Sequence, residues 1–247
     1  MDNGAALASN NSDQRSEGMT PESPKNLATR LLALYPGVTL KRGYESFSWK
    51  GVGFVPALAE RTRIAESCPI SGCSADQVVV FFSNVNRWGF GRHLSKSLTE
   101  DPDFHIACFE LFQAWKSKDR PTQEKSLTNI LGFKGLGIAT ASKFTAMVDP
   151  EYAAIYDSRV TSAMDAIKIE DRRVFPMVGR RPAKNKNYFK ADRLTSDKSK
   201  RAELSGKYML YLDMLTEVRM LTNDFTSNSE IEIALFMLGK DIQEVLA

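Results

Sequence analysis

Between Leu131 and Phe144 the chain reads LGFKGLGIATASKF, with Gly135 and Gly137 two apart between stretches of helical apolar spacing. Glycine permits a tight turn there, and its missing side chain lets backbone N–H groups at a helix N-terminus reach an anion such as a phosphate. The spacing predicts a helix ending near Leu131 and a second beginning near Ile138. Ala139 and Ala141 keep the second helix thin, and Phe133, Leu136, Ile138 and Phe144 close the hairpin core. Eighteen residues after Ala139 comes Asp157, in AIYDSRV ahead of another amphipathic run. An aspartate there caps a helix, accepting N–H bonds at the positive end of the helix dipole. Such a carboxylate stays ionised, and an ionised carboxylate is what the oxocarbenium-like transition state of glycosidic hydrolysis requires. Capping alone also accounts for it.

The elements that must position these groups read as mainly α. Residues 1 to about 24 are rich in Asn, Ser, Asp and Gly and are expected to be a disordered tail, since they bury too little to offset the entropy of ordering. From Pro24, Leu27, Leu31 and Leu34 with Tyr35 share one helical face, and Pro36-Gly37 ends the run. Residues 38 to 54 alternate apolar and polar positions (Val38, Leu40, Phe47, Trp49, Val52, Phe54), which predicts one or two short strands. Ser74 to Gln77 reads as a capping box for the apolar run from Val78. Further helices are expected over about 102–116, 121–131, 138–147, 158–168, 201–222 and 229–246.

The glycine hairpin resembles the helix-hairpin-helix DNA-binding motif, and the position of Asp157 resembles that of the catalytic aspartate in the helix-hairpin-helix DNA glycosylase superfamily. The resemblance implies a mainly α glycosylase fold over 25–247, of two helical lobes with a small N-terminal β element. Its parts would be a hairpin (121–147), a catalytic segment (153–168), a basic insertion (170–201) and C-terminal helices (201–246). It implies double-stranded DNA with a damaged or modified base as partner, a flipped base, and Asp157 as the essential carboxylate. Bifunctional members carry an attacking lysine where this chain has Ala139. Water would then be the nucleophile, the product an abasic site, and AP-lyase activity inefficient. Lys134 and Lys143 are left for phosphate contact, with Gly135, Gly137, Ala139, Thr140 and Arg159 beside them. The alternative reading is a non-catalytic DNA-binding module in which Asp157 only caps its helix.

Three segments resemble the 8-oxoguanine DNA glycosylase branch. GYESFSW, from Gly43 through Glu45 and Phe47 to Trp49, resembles its SFRW segment near the damaged base, with Ser48 in place of arginine. FSNVNRWGF resembles its SSNNN segment, which implies that Asn84, with Asn86 and Arg87, lines the gap left by the flipped base. EIALFMLG resembles its QAVLF helix, aligning Glu232 with a base-reading glutamine and Phe236 with a stacking aromatic; Tyr156, next to Asp157, joins the implied base pocket. An ionised glutamate only accepts hydrogen bonds, so Glu232 would select a base edge that donates. The branch's N-terminal β domain shrinks here to about twenty residues. The base itself stays open among oxidised or alkylated purines, mismatched bases and hypermodified bases of the kind found in phage DNA.

Composition sets the outer limits. The 247 residues are 43% hydrophobic, enough for a real core. Cys68, Cys73 and Cys108 with His93 and His105 match no metal-ligand spacing, no acidic cluster suits two-metal nuclease chemistry, and neither metal nor cofactor is expected. No stretch reaches the ~20 apolar residues of a membrane span, and no signal peptide is evident. The expectation is a soluble monomer, cytoplasmic and nucleoid-associated, or nuclear in a eukaryote.

The net charge is only +3, yet residues 170–201 hold eleven Lys and Arg against four acids, interleaved with Phe175, Tyr188 and Phe189. This pattern suits a DNA-facing insertion. Neutralising Arg180, Arg181, Lys184 and Lys186 together should weaken binding to all duplexes alike. Each lost phosphate contact should lower the slope of log K against log salt by roughly 0.9, and an unchanged slope would assign the interval to a solvated loop.

Overall fold

The structure is a computed structural model that describes residues 22–178 and 197–246. Among the described residues it is mainly α, with eleven α-helices and one two-stranded sheet. The helices are α1 (Pro24–Leu34), α2 (Gly37–Glu45), α3 (Phe54–Glu66), α4 (Ala75–Phe90), α5 (Lys96–Thr99), α6 (Pro102–Ser117), α7 (Arg120–Ile130), α8 (Ile138–Val148), α9 (Ser158–Ala163), α10 (Lys198–Thr222) and α11 (Asn228–Leu246). A 3₁₀ turn, Met164–Ala166, extends α9, and the strands β1 (Lys168–Ile169) and β2 (Arg172–Arg173) pair antiparallel. No described helix is long and apolar enough to cross a membrane.

Local chemistry explains where most helices start. Ser23 accepts the Asn26 N–H ahead of Pro24, Asp101 accepts from Asp103 and Phe104 around Pro102, and Asp119 accepts from Thr122. Ser74 and Gln77 form the expected capping box at 3.3 and 2.9 Å. Gly91, at φ 71°, closes α4.

Two expectations about order are corrected. Residues 38 to 54 hold no strand but α2 and a tight turn at Lys50-Gly51 (φ 51° and 82°), closed by reciprocal Trp49–Val52 backbone bonds of 3.1 and 3.0 Å. Leu40, Gly43, Tyr44 and Phe47 follow the i, i+3, i+4, i+7 rule of a helix, whereas Val38, which completed the alternation, is exposed. Among the described residues the small N-terminal β element is therefore reduced to the single Trp49–Val52 bridge, and the described sheet lies at the start of the basic interval instead. That interval is not wholly an insertion at the surface either. Val174, Phe175, Met177 and Val178 are buried, with Phe175 edge-on to Tyr211, and its last residues begin α10. Of the expected tail, residues 1–21 lie outside the described residues, while Ser23 and Pro24 already cap and start α1. Arg180, Arg181, Lys184, Lys186, Tyr188 and Phe189 also lie outside them.

Packing divides into two groups of neighbours. In one, α4 lies against α6 and α8, with Phe81 and Phe82 on Phe144 at 5.7 and 4.4 Å between ring centroids. In the other, α11 lies between α2 and α9, and α10 packs on α1. Contacts of α10 with α7 join the groups around Trp115, Tyr156, Tyr208 and Tyr211, all fully buried. Helix α11 takes both neighbours at glycine: a Cβ on Gly43 of α2 would come within 3.1 Å of the Ala234 carbonyl oxygen, and one on Gly239 would fall 1.8 Å from the Arg159 carbonyl oxygen. Gly239→Ala should therefore push α9 off α11 and destabilise the fold by about 1–3 kcal/mol, as overpacking does. Thermal unfolding checks this against Gly53→Ala, whose Cβ meets nothing within 4 Å; equal midpoints for the two variants would contradict it.

Candidate active site

The turn forms where its spacing predicts, but the two helices do not close a hairpin core on each other: α7 packs on α6 and α10, and α8 on α4, α6 and α3. After α7, the Leu136 N–H bonds the Phe133 carbonyl at 3.1 Å, with Gly135 at φ 88° in the third place of the turn. A Cβ on Gly135 would touch nothing, so the backbone angle rather than lack of space calls for glycine. Gly137 then precedes α8 in extended backbone. Leu136, Ile138, Ala141 and Phe144 are buried, and Phe133 meets Phe104 edge-on at 5.3 Å, so the turn sits on a rigid base. Lys134 and Gly135 are exposed, and Ala139 and Thr140 are half-buried. A groove of about 370 Å³ runs from Lys134, Gly135 and Thr140 to Arg92 and His93, with no carboxylate in its lining. Arg92 and His93, which no sequence motif marks as groove residues, directly follow the left-handed Gly91 that ends α4. Asn86 is buried and its Nδ2 donates to the Arg92 carbonyl at 2.7 Å, so it shapes this groove rather than offering its amide to a ligand.

Asp157 caps α9. Its Oδ1 accepts the Arg159 and Val160 N–H groups at 3.0 and 3.3 Å, and Oδ2 lies 3.4 Å from Lys143 Nζ. The Asp157 side chain keeps 15% exposure and that of Lys143 only 3%. Lys143 is thereby corrected from a phosphate contact to a buried partner of the carboxylate. Its stem crosses α4 at Gly89, where a Cβ would lie 2.5 Å from Lys143 Cδ, and its ammonium sits 4.5 Å from the centre of the Phe90 ring. One turn beyond Ala139 on α8, Lys143 shares its helix face, which is the signal that marks it in the sequence.

Linked to the carboxylate through Arg159 is a cluster of aromatic rings drawn from three of the singled-out segments. Phe236 of α11 lies 6.1 Å from Phe47 and 5.6 Å from Trp49, and Trp49 lies 5.6 Å from Trp88. The Arg159 guanidinium covers the Phe236 ring at 4.6 Å, which ties the cluster to the residue whose N–H holds Asp157. Lys50 donates to the Trp88 carbonyl at 2.7 Å and fastens the tight turn to α4.

The other expected pocket residues lie elsewhere. Glu45 is exposed, and Gly43 serves the contact of α2 with α11. Tyr156 is fully buried and its hydroxyl donates to the Pro176 carbonyl at 2.7 Å; burial pushes that hydroxyl well above the usual phenol range. Glu232 is also buried, with Arg61 Nη2 at 2.5 Å from its carboxylate. Burial raises the Glu232 carboxyl above its usual range although Arg61 pulls it down. A carboxylate engaged by Arg61 is no free acceptor for a base edge, so the preference for a donating edge loses its basis. Asn84 and Arg87 are exposed on α4, and Asn84 lines a cavity of about 670 Å³ with Pro69, Ile70 and Gln77 rather than the aromatic cluster.

Among the described residues no three His, Cys, Asp or Glu side chains gather in a way that could hold a metal. No protein-family model, curated protein or solved structure matches this chain.

Proposed function

We propose that the chain is a monofunctional DNA glycosylase with a helix-hairpin-helix fold of two helical lobes, one built from α4 to α8 and the other from α1, α2 and α9 to α11. The observation that carries this reading is the Asp157 carboxylate. It is gripped by two helix N–H groups and by Lys143, is partly open to solvent, and is joined through Arg159 to the aromatic cluster at Phe236. Phe236 is buried under the Arg159 guanidinium, so a flipped base displaces that guanidinium to stack on Phe236 beside the half-buried Trp49, and its deoxyribose C1′ faces Asp157. As the bond from C1′ to the base nitrogen breaks, that electron pair leaves with the base, and the ionised carboxylate stabilises the positive charge spreading over C1′ and the ring oxygen. Water adds to C1′, the proton it loses ends on the departed base, and an abasic site remains. The hairpin N–H groups and the groove of Lys134, Arg92 and His93 hold the DNA backbone.

A binding module would need its capping aspartate neither open to solvent nor linked through Arg159 to an aromatic cluster, which is why we favour the enzyme. Asp157→Asn should lower base release by at least ~10²-fold while duplex affinity stays near that of the wild type, because asparagine still caps α9. Duplexes each bearing one oxidised, alkylated, mismatched or hypermodified base, assayed for free base by mass spectrometry, provide the measurement. Full activity in a folded Asp157→Asn protein would refute the assignment.

Water is assigned as nucleophile because Ala139 has no amine and the Lys143 amine is engaged by Asp157. Borohydride added during turnover should trap no covalent protein–DNA adduct, and the product strands should stay intact. An adduct that disappears in Lys143→Ala would instead make Lys143 the nucleophile.

A further inference from the structure

The chain reaches Asp157 through residues 153–156, which are buried yet belong to no helix or strand. Buried backbone outside a ladder must find hydrogen-bond partners elsewhere. The Tyr208 hydroxyl donates to the Ala154 carbonyl at 2.8 Å, and the Tyr211 hydroxyl donates to the Ile155 carbonyl at 3.1 Å. Neither carbonyl takes a backbone donor among the described residues. Three residues apart on α10, the two tyrosines face the same way, and both are fully buried. The stretch is held at both ends as well. Ser142 Oγ accepts the Tyr156 N–H at 3.0 Å, and Ser229 Oγ, itself bonded by Arg61, donates to the Ala153 carbonyl at 3.2 Å.

We propose that Tyr208 and Tyr211 are positioning residues for Asp157: by holding two consecutive carbonyls just ahead of it, they fix where the chain enters α9 and hence where the carboxylate sits. The proposal rests on the catalytic reading of Asp157 given above. Lys143 and the α9 amides grip only the carboxylate, whereas the tyrosines grip the main chain behind it. Without the hydroxyls, two buried carbonyls lose their donors and the segment must shift to recover them. A carboxylate displaced by a fraction of an ångström no longer matches the charge developing at C1′.

Tyr208→Phe, Tyr211→Phe and the double variant keep the rings and the core volume, so they test the hydroxyls alone. On the duplex that the wild type opens fastest, we expect the maximal single-turnover rate to fall about tenfold in each single variant and roughly 100-fold in the double. The half-saturating enzyme concentration should not change. Amide hydrogen exchange at Arg159 and Val160, whose N–H groups bond Asp157, should quicken in the variants while the α6 amides keep their rates. A double variant with the wild-type maximal rate, or a loss confined to half-saturation, would overturn the proposal. If the wild type frees no base from any duplex, the glycosylase reading fails by itself, and the exchange experiment still decides this one: unchanged protection at Arg159 and Val160 refutes it.

Discussion

At Gly239, α9 and α11 meet backbone to backbone, because the space that a side chain would fill is taken by the carbonyl group of Arg159. Much of the site follows from this contact. It brings the first turn of α9, whose N–H groups bond Asp157, against the helix that carries Phe236, so the Arg159 side chain folds over Phe236. On another side of α11, Gly43 brings α2 close to Ala234, and the tight turn after α2 carries Trp49 onto Phe236 and Trp88. Small residues at helix crossings thus set the distance between the carboxylate and the aromatic cluster.

Two acids occupy the interior around this segment, each with one cation: Asp157 with Lys143 and Glu232 with Arg61. Removing one partner of the buried Arg61–Glu232 pair costs about 3–5 kcal/mol because a charge is left uncompensated, so that pair constrains the helices that bear it. The two pairs differ in access. The Glu232 side chain is 1% exposed and backs the core, whereas the Asp157 side chain is 15% exposed and opens outward. Only the second can meet a ligand without rearrangement of the core. The first links α3 to α11 and, through Ser229, to the chain leading into α9.

Much of the local structure was legible in the sequence because its causes lie within about four residues of one another. Ser74 with Gln77 and Asp157 before Ser158 cap the helices expected of them, and Ser23 and Asp101 cap the helices expected from Pro24 and near residue 102. Gly135 adopts the left-handed angle that the hairpin turn demands. The misread stretch, residues 38 to 54, is one where alternation and helical spacing fit the same apolar residues. Contact of α2 with α11 favours the helix, and that partner lies far along the chain.

The sequence by itself determined the helical character, the glycine hairpin and a capped aspartate, since hydrophobic period, turn geometry and N-terminal hydrogen bonds are local properties. Only the tertiary structure decided what surrounds that aspartate. Arg61 and Glu232 are 171 residues apart, and Tyr211 and Ile155 are 56 apart. Neither separation carries a periodic signal, because such pairs form only once helix crossings have set which faces meet. For the same reason Lys143 read as a surface cation and Tyr156 as a pocket wall. Composition indicates that a side chain can bear charge or stack on a base, but the packing of its helix decides whether it faces solvent, a carboxylate or the core.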